Sequence, residues 1–198
     1  MSENAPKKSI RQDFFELVRF TFLVLLIVIP IRLFIAQPFI VNGESMLPTF
    51  ENGDYLIIDE ISYRATEPER GEVIVFRLPT DEKRFLIKRI IGLPGETVSI
   101  SGSKITITQN DDSKIEIKED YTNGDFSSYG TWEMKEGEYF VMGDNRGRSS
   151  DSRFWGVLHE DLIVGKTFLR LFPLSEINYQ PGEVIPEAVA TNTELTEE

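Results

Sequence analysis

The chain contains no cysteine and a single histidine, His159. Without thiols there are no disulfides, no cysteine nucleophile and no cysteine-ligated metal. One imidazole cannot build a His-rich metal site, and any Ser-His-Asp triad would have to use His159, which stands between Leu158 and Glu160 and reads as structural. No metal or cofactor is expected. Basic residues are also scarce, 21 Lys and Arg against 33 Asp and Glu, for a formal charge of −12. A chain of that sign is poorly suited to holding a phosphate backbone, so nucleic acid is not expected as a partner. What is present is enough apolar material for a core, 40% of 198 residues. That length suits one domain with appendages.

The charge is unevenly placed. Residues 1–19 carry Lys7, Lys8, Arg11 and Arg19 against Glu3, Asp13 and Glu16, whereas residues 20–36 carry only Arg32. The uncharged run Phe20–Ile31, extended by Leu17–Val18 and Leu33–Ala36, makes an apolar stretch over 17–36. About 20 helical residues span about 30 Å, the hydrocarbon thickness of a bilayer. A buried core helix is disfavoured because all sides of the stretch are apolar and its caps are missing. A cleaved secretory signal would be shorter and would end in small residues, whereas this run closes on the bulky FIAQPFIV. The expectation is an uncleaved single-pass anchor in the lipid bilayer. The basic residues before it put residues 1–16 in the cytoplasm and the rest of the chain outside. At the other end, 176–198 holds six glutamates, two prolines and no Lys or Arg. It reads as a disordered tail whose removal should matter little.

Between them, 37–175 alternates short apolar runs with Gly, Pro and Asp turns. Strands are expected at Tyr55–Ile58, Glu72–Leu78, Phe85–Ile91, Thr97–Ile100, Lys104–Ile107, Lys114–Ile117, Tyr139–Met142 and Leu162–Leu171. TVSI-SGS-KITI predicts a hairpin turning at Gly102. The fold class is therefore mainly β, an antiparallel body, with 97–137 as a small β insertion.

Three clusters carry candidate chemistry. In NGESMLPTF (42–50), Ser45 lies in a turn; a loop serine is ordinarily only a turn residue, yet Val41, Met46, Leu47 and Phe50 are unusual neighbours for a solvated one. In RFLIKRIIGLPGE (84–96), strand alternation sets Leu86, Lys88 and Ile90 on one face and Phe85, Ile87, Arg89 and Ile91 on the other. Lys88 is then either an edge-strand lysine that discourages aggregation or a desolvated lysine able to act as a neutral base. Bringing it from near 10.4 to about 7 would take roughly 4–5 kcal/mol of environment. In GDNRGRSSDSRFWG (143–156), two acids and three arginines crowd a loop too cationic for calcium. Pairing of Asp144 or Asp151 with Arg146 or Arg153 would make that loop rigid.

In order and spacing, these clusters resemble the bacterial type I signal peptidases (leader peptidases) over about 17–172. The resemblance rests on the anchor, Ser45-Met46-Leu47-Pro48-Thr49, Gly53-Asp54, RGEVIVF at 70–76, KRIIGLPGE at 88–96 and GDNR…SxDSRxWG at 143–156. The single span and short insertion are similar to the Gram-positive branch.

The resemblance implies a fold shared with self-cleaving repressors and a serine endopeptidase with a Ser-Lys dyad. Ser45 would be the nucleophile and Lys88 the general base, with Ser149 orienting the lysine amine and Asp144, Arg146, Asp151 and Arg153 bracing the site. The Ser45 backbone N–H would stabilise the oxyanion; where some members have a second, serine donor, this chain has Gly43. Substrates would be exported preproteins, cut after small-x-small sequences such as Ala-x-Ala. The cut-proximal pocket would be lined by Val41, Met46, Phe50, Leu86 and Ile87, and the next one back by Phe39, Leu56, Val75 and Ile87. The signal peptide would add as a strand beside the Lys88 strand, at the outer face of the cell membrane and near the secretion translocon. A self-cleaving repressor is disfavoured by the absence of a helix-turn-helix. A non-catalytic relative is disfavoured by the presence of both Ser45 and Lys88.

Overall fold

The computed structural model describes residues 10–34, 36–184 and 187–190. The expected cytoplasmic segment lies outside the described residues over 1–9, and the tail over 185–186 and 191–198.

One long helix, α1 (Ile10–Phe34), precedes a β-rich body. It starts and ends earlier than the expected 17–36, because Ala36 already belongs to the first strand, β1 (Ala36–Ile40). Pro38 inside β1 breaks a helical run and is tolerated because β1 is an edge strand, paired only with its neighbour. Among the described residues no helix is long and apolar enough to cross a membrane.

The remaining strands are β2 (Tyr55–Asp59), β3 (Val73–Leu78), β4 (Asp81–Gly92), β5 (Thr97–Gly102), β6 (Lys104–Thr108), β7 (Lys114–Lys118), β8 (Ser128–Glu133), β9 (Glu138–Met142), β10 (Leu158–His159), β11 (Ile163–Phe172), β12 (Asn178–Tyr179) and β13 (Glu187–Ala190). The larger sheet has the order β1-β2-β11-β3-β4-β9-β10, with β12 also on β11. The smaller has the order β13-β7-β6-β5-β8. Every strand pair is antiparallel. The eight strands expected from sequence are all present. The β5–β6 hairpin turns at Gly102, whose φ of 66° suits a residue without Cβ.

Alternation decides the packing. On β3, Val73 and Val75 enter one apolar cluster with Val41, Met46, Phe50, Leu56 and Ile58, while Ile74 and Phe76 enter another with Ile90, Tyr139, Val141 and Leu158. A third cluster joins the small sheet to the large one, where Val98, Ile100, Ile105 and Ile107 meet Ile91, Phe140 and Met142. Strands β3 and β9 are thus buried on both faces, which fits their continuous apolar runs.

Strand β8 was not expected from sequence. Its inward positions are Ser128, Gly130 and Trp132, so alternation carries little hydrophobic signal. The glycine is needed there, because a Cβ on Gly130 would lie 2.4 Å from the Trp132 ring. The tail expectation is also corrected. Strand β12 pairs with β11, and β13 closes one edge of the small sheet on β7. Backbone pairing joins both strands to the sheets, and neither composition nor period announces that.

Candidate active site

Ser45 sits in the turn between β1 and β2. Backbone bonds close its mouth, with Val41 N–H donating to Asp54 O and Gly53 N–H to Val41 O, both at 2.9 Å. Gly43 adopts φ 105°, a left-handed conformation that favours glycine, and its N–H donates to Asn52 Oδ1 at 2.9 Å. Met46 and Phe50, 1% and 0% exposed, plug the turn into the core. This explains the apolar residues around a polar serine: they fix its backbone while Ser45 itself stays half-buried.

Lys88 reaches this turn from β4. It is only 2% exposed, and Nζ donates to Ser45 Oγ and to Ile87 O, each at 2.7 Å. Burial lowers its pKa from 10.5 to about 8, against the opposing pull of the Asp151 and Asp144 carboxylates. The edge-lysine alternative fails on this burial.

The loop after β9 closes over both residues. Asn145 N–H donates to Ser45 O at 3.1 Å and Asn145 Nδ2 to Glu44 O at 3.0 Å. Contact this close requires Gly143, since a Cβ there would lie 2.4 Å from Ser45 O and 2.3 Å from Ser149 Oγ. Ser149 is buried, and its Oγ has no hydrogen-bond partner among the described residues. The implied bond from Ser149 to Lys88 is therefore not made here, the amine being held by Ser45 and Ile87 instead.

Ion pairs brace the loop, partly as expected. Asp151 accepts from Arg153 Nε at 2.7 Å and Nη2 at 2.8 Å, and from Gly143 N–H at 3.0 Å. Arg153 Nη2 also donates to Arg146 O at 2.8 Å. Asp144, however, pairs with Arg89 rather than with Arg146 or Arg153. Arg89 Nε donates to Asp144 Oδ1 at 2.9 Å and Nη2 to Oδ2 at 2.6 Å, and both side chains are wholly buried. Arg146 turns the other way, to Glu119 of the insertion, with Nη2 to Oε1 at 2.6 Å.

Sequence reasoning missed four members of this network. They are Arg89; Thr49, whose Oγ1 donates to Asp144 Oδ2 at 2.5 Å; Glu119; and Tyr121, whose ring lies 4.1 Å from the Arg89 guanidinium. For Arg89 a signal existed, a charge inside the apolar run of β4. For Glu119 and Tyr121 none did, because only the tertiary fold brings the insertion onto the loop.

Beside the Ser45–Lys88 pair lies a recess of about 80 Å³ lined by Phe39, Val41, Leu56, Val75, Leu86 and Ile87, together with Ile40, Asn42 and Phe85. Of the expected pocket residues, Met46 and Phe50 do not reach it and belong to the core behind. One wall is the free edge of β1 and the other is the start of β4, which meets β9 only from Arg89 onward. The Phe39 and Phe85 rings touch across it, 5.4 Å between centroids. A wider, polar recess of about 630 Å³, lined by Gln37, Arg64, Arg77, Phe85 and Glu160 among others, shares Phe85 with it but contains neither Ser45 nor Lys88. No group of acids or histidine is placed to hold a metal among the described residues. His159 is half exposed, 3.5 Å from Asp161, and takes no part in the site.

The family described as signal peptidase, peptidase S26, matches residues 14–172. A probable signal peptidase I-2 of Synechocystis is 36% identical over 180 residues, covering 87% of this chain and 79% of its own. Signal peptidase IB of Staphylococcus aureus is 33% identical over 161 residues, covering 74% of this chain and 83% of its own. A crystal structure of a signal peptidase I from Enterococcus faecalis is 32% identical, with a TM-score of 0.41 over 51% of this chain and 97% of that one.

Proposed function

Since the chain belongs to the signal peptidase family, peptidase S26, and is thus a serine-type endopeptidase, we propose that Ser45 and Lys88 are its catalytic dyad and that it removes signal peptides from exported preproteins after small-x-small sites. The observation that carries this reading is the 2.7 Å contact between a buried lysine amine and a turn serine. A hydroxyl needs an adjacent base to be nucleophilic near neutral pH, and a lysine supplies one when its environment strips the proton.

In the proposed reaction, neutral Lys88 Nζ accepts the Ser45 proton as Oγ attacks the scissile carbonyl. The developing oxyanion is met by the Ser45 N–H, which has no acceptor among the described residues, whereas the Gly43 N–H is engaged by Asn52. The Lys88 ammonium then returns the proton to the departing amine, and water enters with Lys88 again as base. Asp144, Arg146, Asp151 and Arg153 hold the loop against the Ser45 turn, and Ser149 lies beside it with a free hydroxyl.

Substrate would enter extended, adding to the free edges of β1 and β4 through main-chain bonds. The small volume of the recess supports alanine-sized side chains over larger ones. A membrane anchor is part of the proposal. The sequence run 17–36 supports it, as do apolar side chains of α1 that find no protein partner, such as Phe20 at 66%, Leu26 at 58% and Ile27 at 60% exposed. The test is incubation of the detergent-solubilised full chain, and of its Ser45→Ala and Lys88→Ala variants, with an Ala-x-Ala preprotein, followed by mass analysis. The full chain should cut after the second alanine and both variants should be inactive. Cleavage by folded Lys88→Ala above a few per cent would remove Lys88 as the base.

A further inference from the structure

We propose that residues 178–184 form a positioning strap for the catalytic site, acting through Arg89 and Thr49; this rests on the Ser45–Lys88 reading and extends it.

The chain leaves β11 and turns back along it. Tyr179 and Asn178 register with Leu169 and Arg170, Gln180 N–H donates to Phe168 O at 2.8 Å, and Thr167 Oγ1 donates to buried Pro181 O at 3.1 Å. Arg170 links the start of this return to the Ser45 turn, with Nη1 on Glu176 at 2.6 Å and Nη2 on Thr49 O. The strap is thereby laid against the Ser45 turn. At its tip Gly182 has φ 79°, and a Cβ on it would stand 2.7 Å from Thr49 Cγ2 and 3.0 Å from Phe50 Cε2. Backbone conformation and lack of space both call for glycine.

The Gly182 carbonyl accepts from Arg89 Nη1. A guanidinium has five N–H donors in a fixed fork. In Arg89 they meet Asp144 Oδ1, Asp144 Oδ2, Thr49 Oγ1, Gly71 O and Gly182 O. The fork is wholly buried, so each acceptor counts: a buried donor left unmade costs its full desolvation. One of the five comes from the strap. Arg89 follows Lys88 directly in β4, and its partner Asp144 precedes Asn145, which grips the Ser45 and Glu44 carbonyls. The chain of contacts therefore runs from Gly182 to Arg89, to Asp144, to the backbone of the nucleophile. None of Thr49, Phe50 or Arg89 lines the substrate recess.

The experiment compares the full chain with a variant lacking 178–198, one lacking only 187–198, and Gly182→Ala, on a short Ala-x-Ala peptide across pH. Loss of the strap should lower kcat at least tenfold and leave KM within about twofold. It should also move the acid limb of the kcat profile to higher pH, because a loosened Arg89 leaves the Asp144 carboxylate less neutralised, and that carboxylate favours the charged form of Lys88. Gly182→Ala should change kcat and the limb in the same direction by a smaller amount, and deletion of 187–198 should change neither. A purely structural tail would lower the melting temperature and leave kcat and the limb in place. The proposal is overturned if folded protein lacking 178–198 keeps both, or if removing only 187–198 costs as much. Should the longer deletion not fold, Gly182→Ala with unchanged kcat and limb overturns it alone. An inactive full chain, or an active Ser45→Ala variant, would instead overturn the dyad reading.

Discussion

Passing the protein through pH 8 should change its activity and its stability together, because both depend on the proton of Lys88. Burial lowers this lysine from 10.5 to about 8. With that value about one molecule in ten holds the neutral amine at pH 7 and about nine in ten at pH 9. On a short Ala-x-Ala peptide, kcat/KM should rise about tenfold across this interval, with its midpoint near 8. The stability effect has a defined sign. Between about 8 and 10.5 the unfolded chain keeps the proton that the folded chain has lost, so stability rises with pH over that window. Below it, the folded state carries the cost of a buried ammonium, about 3 kcal/mol for a displacement of this size. Lys88→Met has no group to titrate and serves as the reference. Urea unfolding of the two proteins from pH 7 to 10.5 should show the native chain gaining about 3 kcal/mol on the variant. The variant itself should be inactive at every pH. A flat cleavage profile from pH 6.5 to 9.5, together with a stability difference that does not move with pH, would show that Lys88 titrates like a surface lysine and refute the reasoning.

Asp144→Asn removes one charge from a pair buried on both sides and should destabilise the chain by about 3–5 kcal/mol, read as a lower urea midpoint at unchanged slope; a loss below about 1 kcal/mol would mean that water screens the pair. Val75→Phe should fill the 80 Å³ recess and depress kcat/KM on Ala-x-Ala peptides at least tenfold without altering the melting profile by more than a few degrees; unchanged cleavage would place the substrate elsewhere. Deletion of 1–35, which keeps β1 whole, should preserve peptide cleavage but reduce processing of preproteins in vesicles, since a shared membrane raises effective concentration. Equal losses on both substrates would make α1 part of the folded catalytic unit.

Much of this molecule follows from local physics. Period-two alternation and Gly, Pro and Asp punctuation were enough to place all eight expected strands and the Gly102 hairpin, because those strands bury one or both faces in apolar clusters. Ser45, Lys88 and the 143–156 loop stood out because each sets polar or charged residues among apolar ones, a local conflict that chemistry resolves. The partners of those residues were not legible. Asp144 accepts from Arg89 and Arg146 donates to Glu119, choices made by how the insertion lies on the loop and separated by 55 and 27 positions in the chain. Which expected pocket residues line a recess and which fill the core was likewise set by tertiary packing, which takes Met46 and Phe50 of the Ser45 turn into the core. Residues 176–184 are the clearest case. They are acidic, proline-bearing and without apolar period, yet they pack because backbone carbonyls at Pro181 and Gly182 meet donors that the rest of the fold has already buried. A carbonyl is the same on every residue, so its use as the fifth acceptor of Arg89 is written in no side chain and arises only once distant backbone is brought alongside.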